Sequence, residues 1–359
     1  MILFVLNPGS TSTKTALFRD GKCLFRETAY HSDRQIQKAV RLADQLPMRL
    51  TAVKKAYLAA LNQGSVDSAE VDAFVGRGGL LHSIPSGTYR VNQAMLDDLH
   101  AARYGEHASN LGAIIAARLA EPLACPAFVV DPPSVDEMDN LARYTGLPTI
   151  RRRSAFHALN QKAAARLAAA GIGRSYQECS MIVAHLGGGI SVAAHQNGRV
   201  IDVNDALEEG PFSPERAGSL PSLQLLALMC ESGKSVPDMQ RLLTSQSGLF
   251  AYTGTTDCRI VEDLAQTRMD YRELLQAMAY QIAKSIAALS ASLSGHVDMI
   301  VLTGGLAYSR LITDWIKERV YFLGPIQIIP GEHELEALAA GAERVLRGEE
   351  EPRIYEKEA

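Results

Sequence analysis

Three short turns in this chain are built to expose backbone N–H groups: Asn7-Pro8-Gly9-Ser10-Thr11-Ser12-Thr13, His185-Leu186-Gly187-Gly188-Gly189-Ile190-Ser191 and Thr303-Gly304-Gly305. Each follows a short apolar run, at residues 2–6, 181–184 and 299–302. Glycine and small residues leave no Cβ in front of the peptide N–H groups, and turns of that kind cradle phosphates. Hydroxyls flank two of them, Ser10 to Thr13 in the first and Ser191 in the second, and Lys14 follows the first. A single turn of this sort is more often an ordinary hairpin than a phosphate loop. Three in one chain, two of them in equivalent positions, reverse that weighting. Neither GxxxxGK[ST] nor GxGxxG occurs in the required setting, which excludes a P-loop or Rossmann reading.

The elements around these turns form a pattern that occurs twice. Residues 2–6, 14–18 and 23–28 read as a three-stranded meander, with Arg19-Asp20-Gly21-Lys22 as its second turn; Asp-Gly between apolar runs is a strong hairpin signal. Residues 181–184, 191–195 and 200–203 repeat the arrangement, with Gln196-Asn197-Gly198-Arg199 as the tight turn. Aligning Gly9 with Gly187 brings Gly21 within one place of Gly198. Duplication into two α/β domains accounts for this spacing. Helical patterning covers residues 35–62 with a break at Pro47, then 92–102, 107–120, 155–170, much of 222–295, and 333–347. Short strands are expected at 71–75, 127–130 and 326–329, and the charged tail 348–359 reads as frayed. The domains are expected at 1–153 and 154–335, with 336–359 left open as a segment returning to the first.

Composition is that of an ordinary globular protein: 359 residues suggest two domains, with 47% hydrophobic and 21% charged residues. A net charge of -4 gives no basic footprint for a nucleic-acid partner. Residues 2–6 are too short for a signal-peptide core, and the apolar stretch 277–294 carries Gln281, Lys284 and serines, so no membrane partner is expected. Five scattered cysteines without a CxxC pair argue against a disulfide framework or zinc site and suit a reducing cytoplasm.

The turn Asn7 to Lys14 and the run His185 to Val192 together resemble the two signature segments of the acetate and butyrate kinase family, within the sugar kinase, Hsp70 and actin superfamily. Val75-Gly76-Arg77-Gly78-Gly79-Leu80-Leu81, Gly105-Glu106-His107-Ala108-Ser109-Asn110, Val130-Asp131-Pro132-Pro133-Ser134 and Gly331-Glu332-His333-Glu334-Leu335-Glu336-Ala337 are similar to the butyrate kinase branch. The resemblance runs from Ile2 to about Leu346. It implies two duplicated actin/ribonuclease-H-like α/β domains, each a mixed five-stranded sheet with flanking helices, and a cleft between them. It also implies an ATP/ADP-using phosphotransferase that needs Mg2+, with a short-chain carboxylate and its acyl phosphate as partners, and a homodimer or higher homo-oligomer.

Residue roles follow from the same resemblance. Asn7, Ser10, Ser12 and Lys14 match one phosphate loop, and His185, Gly187, Gly188 and Gly189 the other. Gly304 and Gly305 match an adenosine-side turn, and Asp257, Cys258 and Arg259 a segment lining the base. Arg77, His157 and Arg216 match the groups around the transferred phosphoryl, His107 the loop facing the acyl substrate, and Asp131 and Glu334 the carboxylates tied to catalysis and magnesium. Elementary chemistry agrees with a site of this kind. A carboxylate is already ionised at neutral pH, so its attack on a γ-phosphoryl needs positioning and charge neutralisation rather than a base.

Plainer readings stand beside these. Arg77 between glycines could be a surface-turn residue, and His157 beside Phe156 and Leu159 a core or cap histidine. Glu332 and Glu334 open a helix whose dipole favours acids there, so either could be the metal-side carboxylate or neither. Arg151 to Arg153 read as a solvated hinge face. Gly188 and the pair Gly76-Arg77 stand where acetate kinases carry asparagine and His-Arg, which favours a larger acyl group than acetate. Gly78, Gly79 and Ala108 are expected to leave room for it. The alternatives are acetate or propionate kinase activity, and a nucleotide-sensing regulator of the same fold.

Overall fold

The computed structural model describes residues 1–32, 36 and 41–358. The chain divides into two compact units, Met1–Val135 with His333–Ala359, and Asp136–Glu332. The stretch 136–153, placed before the junction by the sequence reading, is held by the second unit: Arg152 bonds Asp202 at 2.9 Å and Glu209 at 3.0 Å, and Asp139 N–H donates to the Ile201 carbonyl. Arg152 is thus turned inward, while Arg151 and Arg153 remain more exposed.

In the first unit β1 (Ile2–Pro8), β2 (Ser12–Arg19) and β3 (Lys22–Tyr30) form an antiparallel meander, and β4 (Ala73–Arg77) and β6 (Ala127–Val130) lie parallel beside β1. β5 (Thr88–Arg90) and β12 (Arg353–Ile354) extend the far edge, so the order is β12-β5-β6-β4-β1-β2-β3. β1, β4 and β6 are buried on both faces, which explains their uninterrupted apolar sequences. Helices Leu46–Gly64 and Asn110–Ala120 pack against the sheet, as does Glu334–Leu346, whose Gly341 admits Val130 where a Cβ would overlap it. The early part of the expected first helix, residues 35 and 37–40, lies outside the described residues.

The second unit repeats the plan. β7 (Ser180–Leu186), β8 (Ile190–Gln196) and β9 (Arg199–Val203) form the meander, and β10 (Met299–Gly304) and β11 (Ile326–Pro330) run parallel beside β7, in the order β11-β10-β7-β8-β9. Both meanders turn through paired left-handed residues, Asp20 and Gly21 (φ 49° and 77°) and Asn197 and Gly198 (φ 51° and 80°). Each has one register irregularity between its second and third strands, after Leu17 and Ala194. The long helix Met269–Ser290 and helix Arg310–Val320 close one core around Ile182, Ala184, Ile282 and Leu302.

Two expectations need correction. The first sheet has seven strands rather than five, because two short edge strands carry too few residues to show a periodic pattern. The tail is not frayed among its described residues. Tyr355 is 1% exposed and its hydroxyl donates to Asp98 at 2.8 Å, while Arg353 and Ile354 pair with β5. No described helix is long and apolar enough to cross a membrane.

Candidate active site

The parallel strands of the first unit end together, and their ends carry the candidate groups. β1 and β4 run in register from Leu3 opposite Ala73 to Leu6 opposite Gly76, so the next residues, Asn7 and Arg77, are neighbours. Arg77 lies opposite Val130 of β6, and Asp131 follows immediately. Ligands gather at such carboxyl ends of α/β sheets because the strands converge there on loops free to carry polar groups. Glu334, in the first turn of its helix, accepts from Asn7 Nδ2 at 2.5 Å and pairs with Arg77 Nη1. Asn7 is 3% exposed and its Oδ1 has no partner among the described residues. Asp131 is buried and sits at φ 38° before Pro132, a strained backbone for a non-glycine residue; its Oδ1 accepts the Gly87 N–H at 2.8 Å.

The first turn is a tight hairpin, with Gly9 N–H donating to the Ser12 carbonyl at 2.8 Å and Ser10 and Thr11 exposed at its tip. Lys14 pairs with Asn7 across the hairpin. Behind the turn lies Arg49, fully buried, which sequence reading missed; nothing in the pattern around Pro47 singles it out. It donates to the carbonyls of Ser10 (2.9 Å) and Ser12 (3.1 Å), to Thr13 Oγ1 (3.1 Å) and to Gln45 Oε1 (3.0 Å). His107 accepts the Ser109 N–H through Nδ1 at 3.3 Å, and its pKa is lowered by desolvation and then by the Arg77 charge.

The glycines after Arg77 do not leave open space. A Cβ on Gly78 would overlap Pro132, and one on Gly79 would overlap Asn110 and Leu99. They are glycines because Pro132, Asn110 and Leu99 pack directly against their Cα atoms, and Ala108 is buried, so these positions do not provide the expected acyl room.

The second unit presents its own strand ends. His185, near the end of β7, stacks on His157 with ring centroids 3.9 Å apart. Asn160 Nδ2 donates to the Glu332 and Gly331 carbonyls, which turns its Oδ1 toward His185 Nδ1 at 2.7 Å and assigns the proton to that nitrogen. His157 Nδ1 meets Ser191 Oγ at 2.9 Å, Ser191 Oγ accepts from Gln161, and Gln161 Oε1 meets His195 Nε2 at 3.0 Å. His195 is wholly buried, its pKa pushed down to about 3 by desolvation, and its Nδ1 faces the Tyr176 hydroxyl. The network therefore holds the His195 ring neutral and fixes its tautomer. Sequence reading missed Asn160, Gln161 and His195; three polar residues in a row, Asn160-Gln161-Lys162, opening an alanine-rich helix were the available signal.

The turn Gly187-Gly188-Gly189 lies against Arg216, and a Cβ on Gly189 would overlap that guanidinium. Arg216 donates to the Ala206 carbonyl at 2.9 Å, its buried Nε has no partner among the described residues, and burial lowers its pKa. Ser213 donates to the Gly188 carbonyl. At the end of β10, Gly304 has φ 88° and a Cβ there would strike the Leu186 backbone, whereas Gly305 faces open space. Gly305 borders a cavity of about 860 Å³ lined also by Asp257, Cys258, Arg259, Tyr308 and Arg310. Asp257 is held down to about 2 by the Arg259 side chain and N–H, while burial pushes the Cys258 thiol up to about 12, so Cys258 lines the cavity as a protonated thiol packed into the core.

Residues 143–338 match the acetokinase family. Over 356 residues the chain is 48% identical to butyrate kinase 2 of Clostridium acetobutylicum, covering 98% of this chain and 99% of that protein. The chain belongs to the acetokinase family. It is a carboxylate kinase, a phosphotransferase with a carboxyl group as acceptor. The fold of this acetokinase is shared with the crystal structures of Porphyromonas gingivalis acetate kinase (TM-score 0.78, 19% identity, 96% and 99% of the two chains) and a Francisella tularensis propionate kinase (TM-score 0.71, 21% identity, 95% and 98%). These place it in the actin/ribonuclease-H-like class.

Proposed function

We propose that this acetokinase transfers the γ-phosphoryl group of ATP to butyrate or a related short- or branched-chain fatty acid, giving acyl phosphate and ADP, and runs in reverse toward ATP synthesis. The observation carrying the acceptor is the 48% identity over nearly full length with a butyrate kinase. A carboxylate oxygen attacks the γ-phosphorus, the bond to the bridging oxygen of ADP breaks, and no proton moves. The requirement on the protein is charge neutralisation and alignment, which a fixed set of donors supplies without reorganisation.

In this reading Arg77 and Arg216 neutralise the equatorial oxygens, His157 donates to them, His185 belongs with the Gly187 to Gly189 phosphate turn, and His107 faces the acyl group. The turn Asn7, Ser10, Ser12 and Lys14, and the turn Gly187 to Gly189, hold phosphates. The cavity beside Asp257, Arg259, Gly304 and Gly305 receives the adenosine, its size being that of a ligand pocket. Among the described residues no three His, Cys, Asp or Glu side chains cluster as a metal site. Mg2+ bound to a nucleotide takes most of its ligands from phosphate and water, so the carboxylates Glu334 and Asp131 fit that sparse demand. When bound it supplies charge to the leaving phosphates. Glu334 is preferred to the exposed Glu332 because its carboxylate reaches Asn7 and Arg77.

A homodimer is part of the same proposal. Helix Ser222–Ser232 buries none of its residues and exposes Leu223, Leu226 and Leu228, an apolar face suited to a second copy. A cytoplasmic setting suits ATP and a labile acyl phosphate. The test is purified protein with Mg-ATP, hydroxylamine and a panel of acids from acetate to valerate. Hydroxamate is expected with the highest kcat/KM at a four- or five-carbon acid. Absence of hydroxamate above the acid-free control with every acid refutes the proposal, and a maximum at acetate or propionate refutes the acceptor.

A further inference from the structure

Arg49 is a buried cation with no carboxylate among its described partners. Its guanidinium is 0% exposed and bonds four neutral acceptors, and no acid among the described residues bonds it. A buried charge is normally paired, because neutral acceptors alone do not replace the lost hydration. Its placement shows what is missing. By drawing the Ser10 carbonyl inward it turns the Thr11 N–H, on the opposite side of the same planar peptide, outward at the exposed tip of the hairpin. No described group accepts from that N–H. The nearby His31 ring, bonded to Thr13 Oγ1, has its pKa lowered by burial and by Arg49, as expected beside a cation that no carboxylate among the described residues neutralises.

We propose that Arg49 is a positioning residue whose counter-charge is the phosphate of the bound nucleotide: it locks the hairpin with N–H groups outward and supplies, from behind the turn, the positive charge that the phosphate completes. This rests on the reading of Asn7 to Lys14 as a phosphate loop. An arginine reaching two carbonyls of one hairpin does this where lysine, a point charge, would hold fewer bonds.

The experiment is calorimetry of ATP and of adenosine against the wild-type chain and the variants Arg49→Gln, Arg49→Met and Arg49→Lys, with thermal unfolding of each without ligand. Arg49→Gln and Arg49→Met are expected to weaken ATP about 10–100-fold and adenosine less than about 3-fold, with unliganded midpoints within about 5 °C of wild type. Arg49→Lys is expected to restore ATP affinity to within about 5-fold, and turnover at saturating ATP to change less than KM. Equal loss of ATP and adenosine, equal weakness of the Lys and Gln variants, or failure of both neutral variants to fold overturns the proposal and leaves Arg49 a structural clamp. A wild type that binds ATP no better than adenosine removes the phosphate-loop reading itself and the role of Arg49 with it.

Discussion

The pair formed by Arg77 and Glu334 separates stability from catalysis. Arg77→Met leaves the Glu334 carboxylate, only 13% exposed, with the Asn7 amide as its remaining donor among the described residues, whereas Glu334→Gln leaves an arginine that is 24% exposed. Losing one partner of a fully buried pair costs about 3–5 kcal/mol, and of an exposed pair about 0–1 kcal/mol. At this intermediate burial Arg77→Met should cost about 1–3 kcal/mol, lowering the unfolding midpoint by about 2–10 °C. Removing a preorganised donor to the transferring phosphoryl should lower kcat by about 10²–10³. The double variant Arg77→Met with Glu334→Gln removes the orphaned charge, so its midpoint should return most of the way to wild type while kcat stays low. Thermal unfolding beside the hydroxamate assay measures both. Arg77→Met retaining kcat within about 3-fold, or a double variant that regains turnover together with stability, would refute Arg77 as a phosphoryl ligand.

Two further outcomes follow from buried groups. Tyr355→Ala should destabilise by about 3–5 kcal/mol in urea unfolding, as for other buried aromatics, because it empties a fully buried site and strips Asp98 of a hydrogen bond; a loss below about 1 kcal/mol would mean the tail is dispensable. His195, depressed from 6.5 to about 3 by burial, binds no proton in the folded state where the unfolded chain does. Its contribution is therefore complete above pH 6.5 and lost as pH falls toward 3, with a slope of at most about 1.4 kcal/mol per pH unit. His195→Gln should flatten the stability profile across that window, and an unchanged slope would assign the acid loss to other groups.

Local signals carried the outline of this chain. Apolar runs such as Ile2 to Leu6 mark strands, Asp20-Gly21 and Asn197-Gly198 mark left-handed hairpin turns, and their repetition discloses the duplication. Those features depend on residues adjacent in the chain, where backbone sterics and side-chain period act directly. The family, too, was legible, since its motifs are contiguous.

Tertiary structure alone decided which polar residues are buried and what they hold. Arg49 looks like any helix-surface arginine until its helix docks behind the Ser10 to Ser12 hairpin; Asn160 and Gln161 acquire meaning only when His185, Ser191 and His195 arrive from other strands. Gly78 and Gly79 suggest space by their size, but Pro132, Asn110 and Leu99 fill it. Tyr355 sits in a charged tail whose composition reads as loose, yet one aromatic anchor and one hydrogen bond hold it to the sheet edge. In each case the deciding free energy comes from desolvation and pairing between residues far apart in the chain, which no local pattern encodes.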